Sequence, residues 1–117
     1  MSLTFKPVTE LKHNVKIEIP GDFGRVTKAD IDVKYKRLPV SEAKALIEKI
    51  QDKKIDEATV LQDHVVDIEG IKDAEGKDLA FSPDLLSQLI EEAYIRVPLL
   101  QGFLKVNYGL DKLKAKN

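Results

Sequence analysis

Cysteine and tryptophan are absent from this chain of 117 residues, and histidine occurs only as His13 and His64. Without cysteine there is no disulfide, no thiol nucleophile and no thiolate metal ligand, and two histidines at unrelated positions make a poor zinc set. Neither sign of charge is in excess. Nineteen Lys and Arg against twenty Asp and Glu leave a net charge of −1, which removes the global electrostatic case for a nucleic-acid or anionic-membrane partner. No apolar run approaches a membrane span, and no signal-peptide apolar segment stands at the start, so a cytoplasmic protein is expected.

Catalytic signatures are also missing. Gly21-Asp22-Phe23-Gly24 lacks the lysine and the glycine spacing of a phosphate loop. Ser41, Ser82 and Ser87 have no nucleophile-elbow context, and the first two read better as helix caps. Asp73, Glu75 and Asp78 crowd around Gly76, but their spacing is not that of a calcium loop, and a solvated turn accounts for them. The aromatic residues form no stacking platform for bases, and Lys112, Lys114 and Lys116 read as a short solubilising tail. No cofactor is implied. The residues describe a non-enzymatic binding protein.

What is present is pattern. The chain is 43% hydrophobic and 33% charged, ordinary for a globular domain and long enough for one modest core, so residues 1–117 are expected to form a single domain. From Leu11 to Ile19 the odd positions Leu11, His13, Val15, Ile17 and Ile19 alternate with Lys12, Asn14, Lys16 and Glu18, the period-2 signature of a strand with one buried face. Alternation resumes with Thr27, Ala29, Ile31, Val33 and Tyr35, so an antiparallel hairpin with a loop over 20–26 is expected. Placing Ile17 opposite Ala29 sets Glu18 against Lys28 and Lys16 against Asp30. Sliding the strands so that Ile17 faces Val33 instead opposes Glu18 to Asp32 and Lys16 to Lys34. Opposite charges across a ladder contribute roughly 0.2–1 kcal/mol per pair and like charges destabilise, which selects the first register. The outer face is polar, so one layer of helices is expected on the sheet.

Four helices are expected to follow. Ser41 is the expected cap of the first, whose stripe is Ala43, Leu46, Ile47 and Ile50. Asp56 caps the second, with Ala58, Leu61, Val65 and Ile68 as its stripe. The stretch from Val65 to Leu89 reads as a helix end closed at Gly70, a turn at Gly76, and a new helix opened by Ser82-Pro83-Asp84, with Leu85, Leu86, Leu89 and Ile90 inward. The last helix runs from about Ala93 to Tyr108, with Gly109 as its C-cap and residues 110–117 as a frayed tail. Pro98 should kink or divide it. It carries two apolar stripes: Ala93, Val97, Leu100, Leu104 and Tyr108, then Ile95, Leu99, Phe103 and Val106. Either the helix lies centrally and touches core on both sides, which the small size of the domain favours, or the second stripe is a docking face. The fold class is α+β: an N-terminal antiparallel hairpin or small sheet packed on a C-terminal bundle of about four helices.

This order of elements resembles the tail assembly chaperones of long-tailed bacteriophages and prophages. The resemblance rests on Leu11–Ile19, the Pro-Gly loop and the second strand ending Val33-Lys34-Tyr35-Lys36-Arg37-Leu38. It continues in the helix opening Ser41-Glu42-Ala43-Lys44-Ala45-Leu46, then in Val65–Gly70 and the run from Ile71 to Leu86. Members of the family often have a tryptophan before the link where this chain has Glu69-Gly70-Ile71, and usually a proline where it has Ala80. The resemblance implies a chaperone that binds the tape measure protein, recruits tail tube subunits and is absent from the finished virion, with no cofactor and no active site. On this view Ile95, Leu99, Phe103 and Val106 are the expected partner-binding residues, taking an amphipathic client helix. Self-association is a further expectation. A structural tail component, such as a completion or connector subunit, is the alternative; a host adaptor and an enzyme rank below it.

Overall fold

The computed structural model describes residues 2–108. Strand β1 (Glu10–Pro20) and strand β2 (Val26–Lys36) form a long antiparallel hairpin, joined through a 3-10 turn at Asp22–Gly24. Its register places Ile17 opposite Ala29, Glu18 opposite Lys28 and Lys16 opposite Asp30, the arrangement that the outward charges select. Val15, Ile17, Ile31, Val33 and Tyr35 are buried on the inner face. On the outer face Lys12 Nζ reaches Glu69 Oε1 at 3.1 Å, Lys34 Nζ reaches Glu10 Oε1 at 3.6 Å, and Asn14 donates to Asp30 and Asp32. The Glu69 carboxylate raises the Lys12 pKa, by hydrogen bond first and by charge second.

Helix α1 (Val40–Gln51) and helix α2 (Glu57–His64) follow. Ser41 does not cap α1. The helix starts one residue earlier, with Pro39 at the cap position and no side-chain cap bond, because the fixed φ of proline already sets the entry of the chain. Its end is closed by paired backbone bonds, Lys54 N–H to Lys49 C=O and Lys53 N–H to Ile50 C=O, with Lys53 at φ 58. Asp56 caps α2 as expected, accepting from Ala58 N–H.

The second expected helix stripe is overturned beyond His64. Val65–Glu69 is strand β3, which pairs antiparallel with β2 and completes a sheet of order β1-β2-β3. Tyr35 opposes Val65, Lys34 opposes Asp67 and Val33 opposes Ile68, so Val66 is an extra residue at a bulge. A bulge lets two residues face one partner. Val65 and Ile68, three apart, thereby both enter the core, and a three-residue spacing that reads as helical is produced by a strand. Gly70 does take positive φ, at 101°, but it follows a strand and lies against the Ile31 backbone.

Beyond β3 the chain makes a small ribbon. Lys72 bridges to Asp78, Leu79 N–H donates to Ile71 C=O, and Asp73 Oδ1 accepts from Glu75 N–H and Lys77 N–H around Gly76 at φ 85. Helix α3 (Pro83–Ile90) opens with Pro83 at its first turn and Ser82 Oγ accepting from Leu85 N–H at 3.1 Å. Helix α4 (Ala93–Tyr108) runs through Pro98 unbroken, so proline does not divide it. Leu86 and Ile90 of α3, Val60 and Leu61 of α2, and Leu99 and Phe103 of α4 meet the inner face of the sheet in one core. The expected C-cap Gly109 and the tail lie outside the described residues.

Candidate functional site

The four residues expected to bind a partner do not form an exposed face. Leu99 and Phe103 are fully buried, and Ile95 and Val106 are partly buried against the same core. The expectation of a free docking stripe is therefore corrected: α4 is central, and this stripe is what seats it. The Phe103 ring lies 5.1 Å from the His64 ring and 6.3 Å from the Tyr35 ring, both tilted, an edge-to-face geometry that adds to burial. His64 is fixed in turn, its Nδ1–H donating to Val60 C=O at 2.8 Å.

Two further α4 residues set how the helix sits. Gly102 faces Tyr35 so closely that a Cβ there would lie 2.5 Å from the tyrosine oxygen. The absent side chain lets the Tyr35 ring reach the helix, and its hydroxyl donates to Leu99 C=O at 2.7 Å. Burial raises the Tyr35 pKa above its ordinary 10.0, so this hydroxyl remains a donor at neutral pH. Asn107 is buried one turn beyond Phe103. Its Oδ1 accepts from Leu38 N–H at 2.8 Å, and its Nδ2 donates to Lys36 C=O at 3.0 Å and to Phe103 C=O at 3.2 Å. The exit of β2 is thereby tied to the end of α4. Periodicity gives no hint of either role, since both residues read as polar or small spacers. A glycine in a helix interior, which costs about 1 kcal/mol against alanine, was the one available signal.

None of the remaining candidates assembles a reactive site. Among the described residues no three His, Asp or Glu side chains converge on a metal-sized site. The concavity between α2 and α3, lined by Gln62, Phe81, Pro83 and Ser87 among others, holds no titratable side chain. Ser87 Oγ instead accepts from Gln62 Nε2. No helix among the described residues is long and apolar enough to cross a membrane.

Apolar surface that the core does not use lies elsewhere. At the hairpin tip Phe23 is 98% exposed and sits at φ 58, ψ 34, a left-handed conformation costly for a bulky residue. Val26 and Ile19 flank it, both exposed. The segment 2–9 has no regular structure and carries Leu3, Phe5 and Val8, with Phe5 81% exposed. It enters β1 at the end away from the tip, about 35 Å along the strand at 3.4 Å per residue. Comparison with protein-family models, with curated proteins and with solved structures finds no match.

Proposed function

We propose that this protein is a tail assembly chaperone of a long-tailed phage or prophage. It binds the tape measure protein in the host cytoplasm without catalysis, keeps it soluble and leaves before the virion is complete. The resemblance in element order supplies the class of partner. The observation that carries a binding role is Phe23: a fully exposed aromatic ring in a strained backbone conformation contributes no packing to the fold, and such strain gathers where contacts are made. The client contacts move accordingly from the buried stripe of α4 to the hairpin tip, with Leu3 and Phe5 as a second apolar surface. Tail tube subunits are the further partners of this reading.

The test is co-expression with the tape measure protein of the same phage or prophage, scoring how much of it stays soluble and whether the two co-purify. Wild type should retain a soluble complex. Phe23→Asn should lose it while the chaperone itself becomes no less stable, since asparagine tolerates positive φ. A tape measure protein that aggregates equally with and without the intact wild-type chain would refute the proposal. Recovery of the protein from finished tails would replace it with the structural-component reading.

A further inference from the structure

The outer edge of β1 is a backbone surface with a built-in partner. β1 is an edge strand, eleven residues long. Arg37 N–H donates to Thr9 C=O, and extending the β1–β2 register by one step pairs these two residues. Hydrogen-bonded and non-hydrogen-bonded pairs alternate along an antiparallel ladder. The odd residues of β1 therefore spend their backbone groups on β2, and Lys12, Asn14, Lys16 and Glu18 aim theirs outward, away from the sheet. Edges of this kind template pairing with another chain unless they are blocked. The only proline in β1 is Pro20, at its last position, so nothing of that kind interrupts the edge between Glu10 and Ile19.

The charges on that edge are self-complementary in one full-length register. A second copy approaching antiparallel about a twofold axis at Val15 sets Lys12 opposite Glu18 twice and Asn14 opposite Lys16 twice. It uses the strand from Glu10 to Pro20 without overhang. Centring on Asn14 instead opposes Lys12 to Lys16 and Glu10 to Glu18, and centring on Lys16 sets that lysine against itself. Centring on His13 or Ile17 restores opposite charges but leaves four residues of each strand unpaired. The Val15 register also answers a second observation. Leu11 and Ile19, the two inner-face residues of β1 that the monomer leaves most open at 43% and 38% exposure, come to lie opposite each other across the new seam.

We infer that the chain forms a symmetric dimer by antiparallel pairing of β1 with β1 about Val15, joining two three-stranded sheets into one of six. The pairing takes Ile19 from the apolar surface beside Phe23 but leaves Phe23, Leu3 and Phe5 outside the paired strands, so it does not rest on the client-binding reading.

The test is sedimentation equilibrium of the purified chain and three charge variants. Wild type should sediment at twice the mass of one chain. Lys12→Glu and Glu18→Lys should each raise the dimer dissociation constant about tenfold, because each turns two attractive pairs into two repulsive ones. The double variant K12E/E18K should return to within about threefold of wild type, since the swap restores opposite charges at both 12–18 pairs of the Val15 register. Lys16→Pro gives a charge-independent check. It removes an N–H that faces solvent in the monomer, where proline is tolerated on an edge, and it should give a folded monomer by circular dichroism. A wild-type monomer at several times the concentrations used for the variants would overturn the inference. So would a dimer that ignores both single swaps, or single swaps that the double variant does not rescue.

Discussion

Gly102→Ala should destabilise the protein, against what helix propensity alone predicts. In an exposed helix interior the change is favourable by about 1 kcal/mol. Here the new Cβ would stand 2.5 Å from Tyr35 Oη, 3.2 Å from Cζ and 3.3 Å from Cε2. Tyr35 is fully buried, with its ring beside Phe103 and its hydroxyl bonded to Leu99 C=O. Overpacking of a full core costs about 1–3 kcal/mol, and displacing the hydroxyl from Leu99 C=O forfeits a buried bond worth about 1 kcal/mol. The net expectation is a loss of about 2 kcal/mol. Tyr35→Phe alone should cost about 1 kcal/mol, the bond without the clash. Combined, the two changes remove the closest colliding atom and leave the ring carbons at 3.2 and 3.3 Å, so the double variant should lose about 1 kcal/mol rather than about 3, a coupling of about 2 kcal/mol. Urea denaturation followed by circular dichroism measures all three. A stabilised Gly102→Ala variant, or a double variant equal to the sum of the singles, would refute the account of how α4 is seated on the sheet.

Three other outcomes are expected. Asn107→Ala orphans Leu38 N–H and Lys36 C=O, and should cost about 2–4 kcal/mol in denaturant titration, far more than an exposed asparagine would. Ser82→Ala should cost about 1 kcal/mol through loss of the α3 cap, whereas Ser41→Ala, which caps nothing, should stay within about 0.5 kcal/mol of wild type. Burial raises the Tyr35 pKa above its ordinary 10.0, so the unfolded chain releases this proton first. The stability tied to neutral Tyr35 is complete below that ordinary value and is lost as pH rises toward the folded value. Alkaline denaturation of Tyr35→Phe should accordingly be shallower than that of wild type, read by circular dichroism across the pH series.

The register of the hairpin was legible in the sequence to the residue, although Pro20 and Val26, expected in the loop, extend the strands. Period-2 alternation gave the strands, and the outer charges of Lys16, Glu18, Lys28 and Asp30 chose the register, because opposed charges act locally and need no tertiary information. The caps at Asp56 and Ser82 were legible for the same reason. Ser41 was not, because Pro39 two residues earlier had already set the helix entry. Strand β3 was hidden by its bulge at Val66, which stretches the inward spacing from two to three and imitates a helix. The signal that could have found it was composition: Val65-Val66-Asp67-Ile68 carries three β-branched residues in four. The expected partner-binding residues failed for a different cause. Two apolar stripes on α4 show that the helix has two neighbours but not whether the second is the protein's own sheet, and Tyr35 and His64 arrive at Leu99 and Phe103 from distant parts of the chain. Exposure at Phe23 was equally out of reach, since a hairpin loop read from sequence does not reveal which way its aromatic residue points.

The client-binding claim is tested most directly by placing a photoreactive benzoylphenylalanine at position 23 and irradiating cells that co-express the tape measure protein. The account predicts a cross-link to the tape measure protein from position 23 and none from the same probe at position 103, where the ring is enclosed in the core. A tape measure protein that remains soluble and co-purifies, yet cross-links from neither position, would contradict the hairpin tip as the contact. A cross-link from position 103 alone would contradict it as well, and would return the client to α4.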